Sequence, residues 1–126
     1  MGFLSSLFGG APTVHPTSVS TAAQFAALVS DGDLPVILDV WSPTCAPCKK
    51  LVPVLTEVAT RHDGRVRVIE VNAAAAEPAL LRILNVRATP TLVLYDGGEE
   101  IGRVTGFRPT SWFNEMIDVE FPATEA

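Results

Sequence analysis

The chain has 126 residues, 48% of them hydrophobic and 18% charged, with a formal net charge of −5. That length suits one domain with its own core, and the acidic balance argues against wholesale binding to nucleic acid or an anionic membrane, which needs a positive field. Two cysteines do not make a disulfide-rich scaffold, and no stretch approaches the about 20 apolar residues of a membrane span.

The N-terminus, MGFLSSLFGGAPTVHPTS, has no basic residue ahead of its short, serine-interrupted apolar patch, so it does not read as a secretory signal. Gly2 and Ser6 fit a loose myristoylation pattern. Phe3, Leu4, Leu7 and Phe8 could form a small sticky helix, but the plainer expectation is a flexible tail over residues 1–17, with Gly9-Gly10-Ala11-Pro12 as a linker. A single domain is expected over 18–119, followed by a loose acidic tail over 120–126.

Residues 20–30 predict a helix: Thr21 and Gln24 form a capping box, and Phe25, Leu28 and Val29 an apolar stripe. Val36 to Trp41 is a short apolar run broken only by Asp39, which predicts a central strand buried on both faces. From Cys45 to Arg61 the period changes. Cys48, Leu51, Val52, Leu55, Val58 and Ala59 predict an amphipathic helix with Pro53 inside it, closed at His62-Asp63-Gly64.

Val66 to Val71 is a second strand. Glu77-Pro78 opens a helix whose Leu80, Leu81 and Leu84 face inward, with Asn85 as a left-handed cap. Thr91–Tyr95, the turn Asp96-Gly97-Gly98, and Glu100–Thr105 form a hairpin. Thr110 is expected to cap a last helix carrying Trp112, Phe113, Met116 and Ile117. With a vestigial strand near Val19, the order describes an α/β sandwich, parallel early and antiparallel late.

The chemistry concentrates in WSPTCAPCKK, residues 41–50. A bridge between cysteines three apart closes almost no loop and would remove little entropy from the unfolded chain, so a structural staple is a weak reading. One C-x-x-C is half of a zinc or iron–sulfur site, which two chains could share. The third reading is a pair that opens and closes. Cys48 lies on the apolar helix face and Cys45 one turn earlier, at a helix N-terminus whose unpaired N–H groups and dipole favour a thiolate. Lys49 and Lys50 add screened positive charge. Cys45 is then the natural attacker and Cys48 the natural resolver. Asp39 carries a carboxyl in an apolar strand, which raises its pKa. Near Cys48 it could accept that thiol's proton, or it is an aspartate bonded to backbone for structural reasons. His15 and His62, each isolated, read as surface or cap residues rather than ligands.

WSPTCAPCK at a strand-to-helix junction, with Thr89-Pro90-Thr91 opening a strand about forty residues later, resembles thioredoxin over roughly residues 20–118. The resemblance implies a three-layer α/β/α sandwich with a central mixed sheet. It implies dithiol–disulfide exchange with protein substrates, electrons from a flavin-containing reductase, no bound cofactor or metal beyond the cysteine pair, a monomer and a cytoplasmic setting. Cys45 matches the family's nucleophile and Cys48 its resolving cysteine. Pro90 matches the cis-proline lying against the disulfide, where it would also hinder metal binding, and Asp39 the buried aspartate under the second cysteine. Thr89 would offer its backbone to an extended substrate. Trp41 matches the tryptophan beside the active-site loop, and Gly106 a glycine on the substrate-facing rim that Thr44, Ala46 and Pro47 complete.

The chain departs from the family in four places. Thr44 stands where thioredoxins carry tryptophan, removing an aromatic contact for partners. Ala46 replaces glycine. Pro47 is retained, which implies a potential nearer about −270 mV than about −120 mV. Asn72-Ala73-Ala74 lacks the usual acidic residue. Glu70 replaces a lysine and, alternating with Val66 and Val68, shares their face. It either approaches Asp39 as a coupled proton reservoir behind Cys48 or swings to solvent. The altered rim also allows a different role: an interaction module that docks one dedicated partner with little turnover.

Overall fold

The computed structural model describes residues 12–122, so the myristoylation pattern, the sticky-helix residues and residues 123–126 lie outside what is described. Five strands form one sheet in the order β1-β3-β2-β4-β5: β1 (Thr17–Ser18), β2 (Val36–Trp41), β3 (Arg67–Asn72), β4 (Thr91–Asp96) and β5 (Glu99–Thr105). β1, β3 and β2 run parallel, and β4 and β5 antiparallel. Four helices cover the sheet: α1 (Ala22–Phe25, continuing as a π-helical stretch Ala26–Ser30), α2 (Ala46–Arg61), α3 (Pro78–Leu84) and α4 (Thr110–Glu120). This is the expected mixed-sheet sandwich.

Alternation along β2 builds both faces. Val36, Leu38 and Val40 join Phe25, Val29, Leu80 and Leu84 on one side. Ile37 joins Leu51, Leu55, Val58, Phe113 and Ile117 on the other. Asp39 and Trp41, in phase with Ile37, therefore leave the sheet toward α2. β3 does the same, so Glu70 follows Val66 and Val68 onto the α2 face.

Local signals account for most boundaries. Thr21 and Gln24 form the full capping box, and Asn85 ends α3 with φ 50°. Gly97 and Gly98 take φ 62° and 84° at the hairpin turn, a conformation that disfavours side chains with a Cβ. Three expectations fail. The first helix ends in wider π turns, with Asp31 N–H donating to Ala26 O at 2.9 Å. Thr110 does not cap α4: Pro109, extended at φ −79°, ψ 166°, is the cap residue and Thr110 is the first helical one. Val52 is 60% exposed instead of joining the core.

The packed region also reaches past the expected tail boundaries. Val14 N–H donates to Thr60 Oγ1 at 2.8 Å, and the same hydroxyl donates to Val14 O at 3.2 Å. Val14 packs on the α2 face, and Phe121 is 4% exposed within that same core. The packed chain therefore begins ahead of residue 18 and runs beyond residue 119.

Candidate active site

β2 exits at Trp41 into Ser42-Pro43-Thr44, and Cys45 N–H closes the turn onto Ser42 O at 3.3 Å. Cys45 is the N-cap of α2, in extended conformation. Pro47 sits in the first turn, where a missing N–H breaks no helical bond. Cys48 N–H donates to Cys45 Sγ at 3.2 Å, the capping contact that would also hold a thiolate. Cys45 and Cys48 form a disulfide with Cα atoms 5.3 Å apart. Cys48 is 3% exposed. Cys45 is half-buried, and Thr44, Ala46 and Pro47 are exposed around it.

The opposite lip comes from the start of β4. Thr89–Pro90 is a cis peptide, and Val40 pairs with Thr91, so this bend sits at the sheet end where β2 leaves for Cys45. The hydroxyls of Ser42 and Thr89 are 3.4 Å apart, joining the two loops. Thr91 Oγ1 donates to Ala88 O at 2.6 Å. Gly106 N–H donates to Pro90 O at 2.8 Å, and its φ of +99° is one that side-chain-bearing residues rarely take. Thr89, Pro90 and Gly106 thus form one bonded rim. Ser42, its link to the cysteine loop, carried no sequence signal beyond its place before Pro43.

Behind Cys48 lies a pocket of about 350 Å³. Its floor holds Asp39, 4% exposed, with its carboxyl pushed up from 3.8 to about 7, first by burial and then by the charge of Glu70. Asp39 Oδ1 has no hydrogen-bond partner among the described residues, so no backbone donor anchors that oxygen. An unmet buried acceptor costs about 1–3 kcal/mol. Trp41 Nε1 is likewise buried without a partner. Glu70 is half-buried and lines the same pocket as Asp39. Its Oε2 accepts from Ser18 Oγ at 2.9 Å.

The other lining residues include Pro43, Lys49, Val52 and Leu55, with His15 and Pro16 closing one side. This explains Val52. At 100° per residue it stands within about 40° of Cys48 on the helix, on the inward arc, but over the pocket instead of packed side chains. The wall formed by His15-Pro16 was not legible in the sequence, because these residues lie ahead of the two-residue β1 and outside any periodic element.

His62 caps the C-terminus of α2, and its Nε2 lies 2.8 Å from Asn114 Oδ1. Among the described residues no group of three or more His, Cys, Asp and Glu side chains is arranged to hold a metal ion. No described helix is long and apolar enough to cross a membrane.

Comparison with known proteins places this geometry among relatives. A family model described as Thioredoxin matches residues 16–119. Thioredoxin 1 of Nostoc sp. is 32% identical over 98 residues, covering 78% of this chain and 91% of that protein. Thioredoxin of Haemophilus influenzae is 35% identical over 98 residues, covering 76% and 89%. A solved structure described as the structural basis of thiol resolution in yeast mitochondrial 1-Cys peroxiredoxin via glutathione/thioredoxin systems contains a similar chain. That chain has a TM-score of 0.71 and 25% identity, with 82% of this chain and 94% of that one covered.

Proposed function

The chain belongs to the thioredoxin family and is a thiol–disulfide oxidoreductase; from that premise we propose that it works as a cytoplasmic, monomeric reductase of protein disulfides. The observation that carries this reading is the inequality of the two sulfurs. One is half-buried at a helix N-terminus, and its twin is 3% exposed beside a buried carboxyl whose pKa is about 7.

In the reduced protein, the Cys45 thiolate attacks one sulfur of the substrate disulfide. A mixed disulfide forms and the first substrate thiolate leaves. Cys48 then passes its proton to the Asp39 carboxylate and attacks Cys45 Sγ. The Cys45–Cys48 bond forms, the mixed disulfide breaks and the second substrate thiolate leaves. A carboxyl with a pKa near 7 is a stronger base than an ordinary aspartate, which suits it to a thiol proton. The oxidised pair is reset by two electrons and two protons, supplied by a flavin-containing reductase. A cytosolic setting suits this direction, because thiols are kept reduced there.

The substrate lies as an extended segment against Thr89 and cis-Pro90, with Trp41, Thr44, Ala46, Pro47 and Gly106 around it. Support for this comes from the bonds that join Ser42 to Thr89 and Gly106 to Pro90.

Trapping tests the reading. Cys48→Ser should accumulate substrates as mixed disulfides on Cys45, and Cys45→Ser should accumulate none. Equal yields from the two variants, or no adducts from either, would overturn it.

A further inference from the structure

The pocket behind the disulfide holds more chemistry than the exchange reaction uses. Its floor is a pair of carboxyls, and one oxygen of the pair, Asp39 Oδ1, is sealed from water without a hydrogen-bond partner among the described residues. An unmet buried acceptor is costly, so positive charge placed beside that carboxyl is favourable. No Lys, Arg or His among the described residues makes an ion pair with Asp39 or Glu70; the pairs that form are Arg65–Asp118 and Arg103–Glu100. The walls are of another kind. Trp41, Pro43, Val52 and Leu55 are apolar, and Val52 keeps 60% exposure on a helix arc that elsewhere is buried. A floor that wants a positive donor and walls that want methylenes describe an alkylammonium ligand. The volume, about 350 Å³, has room for one long side chain. Cys48 and Trp41 are themselves part of the lining, so the pocket adjoins the disulfide.

We propose that this pocket receives a lysine side chain from the polypeptide whose disulfide is exchanged. The ammonium pairs with Glu70, the more open carboxylate, with Asp39 buried beside it, and the stem lies along Val52, Leu55 and Trp41. This rests on the reading of the protein as a protein-disulfide reductase and adds a substrate class to it: polypeptides with a lysine beside the reactive cystine. The chain's net charge of −5 helps draw such a segment in from a distance. Lys49, exposed at the rim, is the one lysine or arginine among the lining residues.

The test uses disulfide-closed peptides that differ at one position next to the cystine, lysine against norleucine, with kcat/KM as the readout. The expected preference for lysine is about tenfold, the scale of a partly desolvated charged contact. Glu70→Gln, close in shape and still able to accept from Ser18, should cut the ratio to about twofold. Glu57→Gln, which removes an equal charge from the exposed outer face of α2, should leave the ratio as it was.

A ratio near one overturns the proposal, whether the pocket takes nothing or Lys49 folds into it. An equal fall in both variants also overturns it, since net charge would then explain the preference. If neither peptide is reduced, the reductase reading fails by itself. The inference is then judged on the dissociation constants of serine-for-cysteine versions of the two peptides with the oxidised protein. The same lysine preference supports it, and equal constants overturn it.

Discussion

Asp39 and Glu70 are register partners on the adjacent parallel strands β2 and β3, so their side chains leave the sheet on one face, beside Cys48 in one pocket. A negative charge beside a buried carboxyl opposes that carboxyl's ionisation. Burial is the larger cause of the raised Asp39 pKa and the charge of Glu70 the second. The titratable and charged groups that line the pocket with Asp39 are Glu70 from β3, Lys49 and Cys48 from α2, and His15 from the N-terminal segment, and of these Glu70 acts on its pKa; Leu92, its neighbour on β4, carries no charge.

Glu70→Gln removes the second cause and keeps the first. The Asp39 midpoint should fall below about 7 yet stay above 3.8. In the proposed mechanism ionised Asp39 takes the Cys48 proton, so the rate of attack on a mixed disulfide should rise with pH through that midpoint. The variant's profile should therefore shift to lower pH. Single-turnover release of substrate thiol across pH 5–9 measures it. An unmoved midpoint would mean that Glu70 is not felt at Asp39.

Asp39 should also make stability fall as pH rises. Its folded-state pKa lies above the unfolded one, so the native state holds this proton more tightly. The contribution is fully favourable below 3.8, is lost between 3.8 and about 7, and is flat above. A rise of that size corresponds to about 4 kcal/mol at most. Asp39→Asn, with no proton to lose, should flatten this window. Urea midpoints at pH 5 and pH 8 should differ less in the variant than in the parent, and an unchanged difference would contradict the assignment.

The sequence was most legible where a residue acts on its own backbone. The Thr21–Gln24 box, the left-handed Asn85 and the Gly97-Gly98 turn are local effects, and each formed where the residues implied. The different burial of the two cysteines followed from helix phase alone. What escaped notice depends on partners distant in sequence. Val52 has the phase of a core residue, but its exposure is decided by the pocket formed under it by Asp39 and Glu70, from strands on either side of α2 in the chain. Phe121 follows the end of the last periodic run, so only its burial against α2 and α4 reveals that the chain is still packed there. Val14 is held by Thr60, 46 residues away.

Arg103 joins β5 to the end of α3. Its guanidinium makes a two-pronged pair with Glu100, 2.6 Å to each carboxylate oxygen. It also donates to Leu84 O at 3.2 Å and Asn85 O at 3.3 Å, carbonyls at the negative end of the helix. The pair is about a third exposed, so its Coulomb part is screened. Arg103→Ala should cost about 1 kcal/mol in stability, with the disulfide-exchange rate unchanged. Arg103→Lys should recover only part of the loss, because an ammonium cannot reproduce the fork. Chemical denaturation of the three proteins checks this, and equal stability of parent and Arg103→Ala would show that the clamp contributes nothing.

Phe121 closes the α2–α4 side of the core, 4% exposed, and its carbonyl accepts from Arg65 Nε at 3.2 Å. Arg65 also pairs with Asp118 at 3.4 Å, a contact open enough to solvent to add little. The energy at this end should therefore lie in the ring. Phe121→Ala removes a buried aromatic that follows the last helix, so the loss should fall near about 3 kcal/mol, at the low end of the range for such truncations. Asp118→Asn should cost less than about 0.5 kcal/mol. Thermal and urea unfolding of both variants tests the ranking. Near-equal losses would mean that the residues after 119 are held by charge, and a negligible loss in Phe121→Ala would return them to the status of a loose tail.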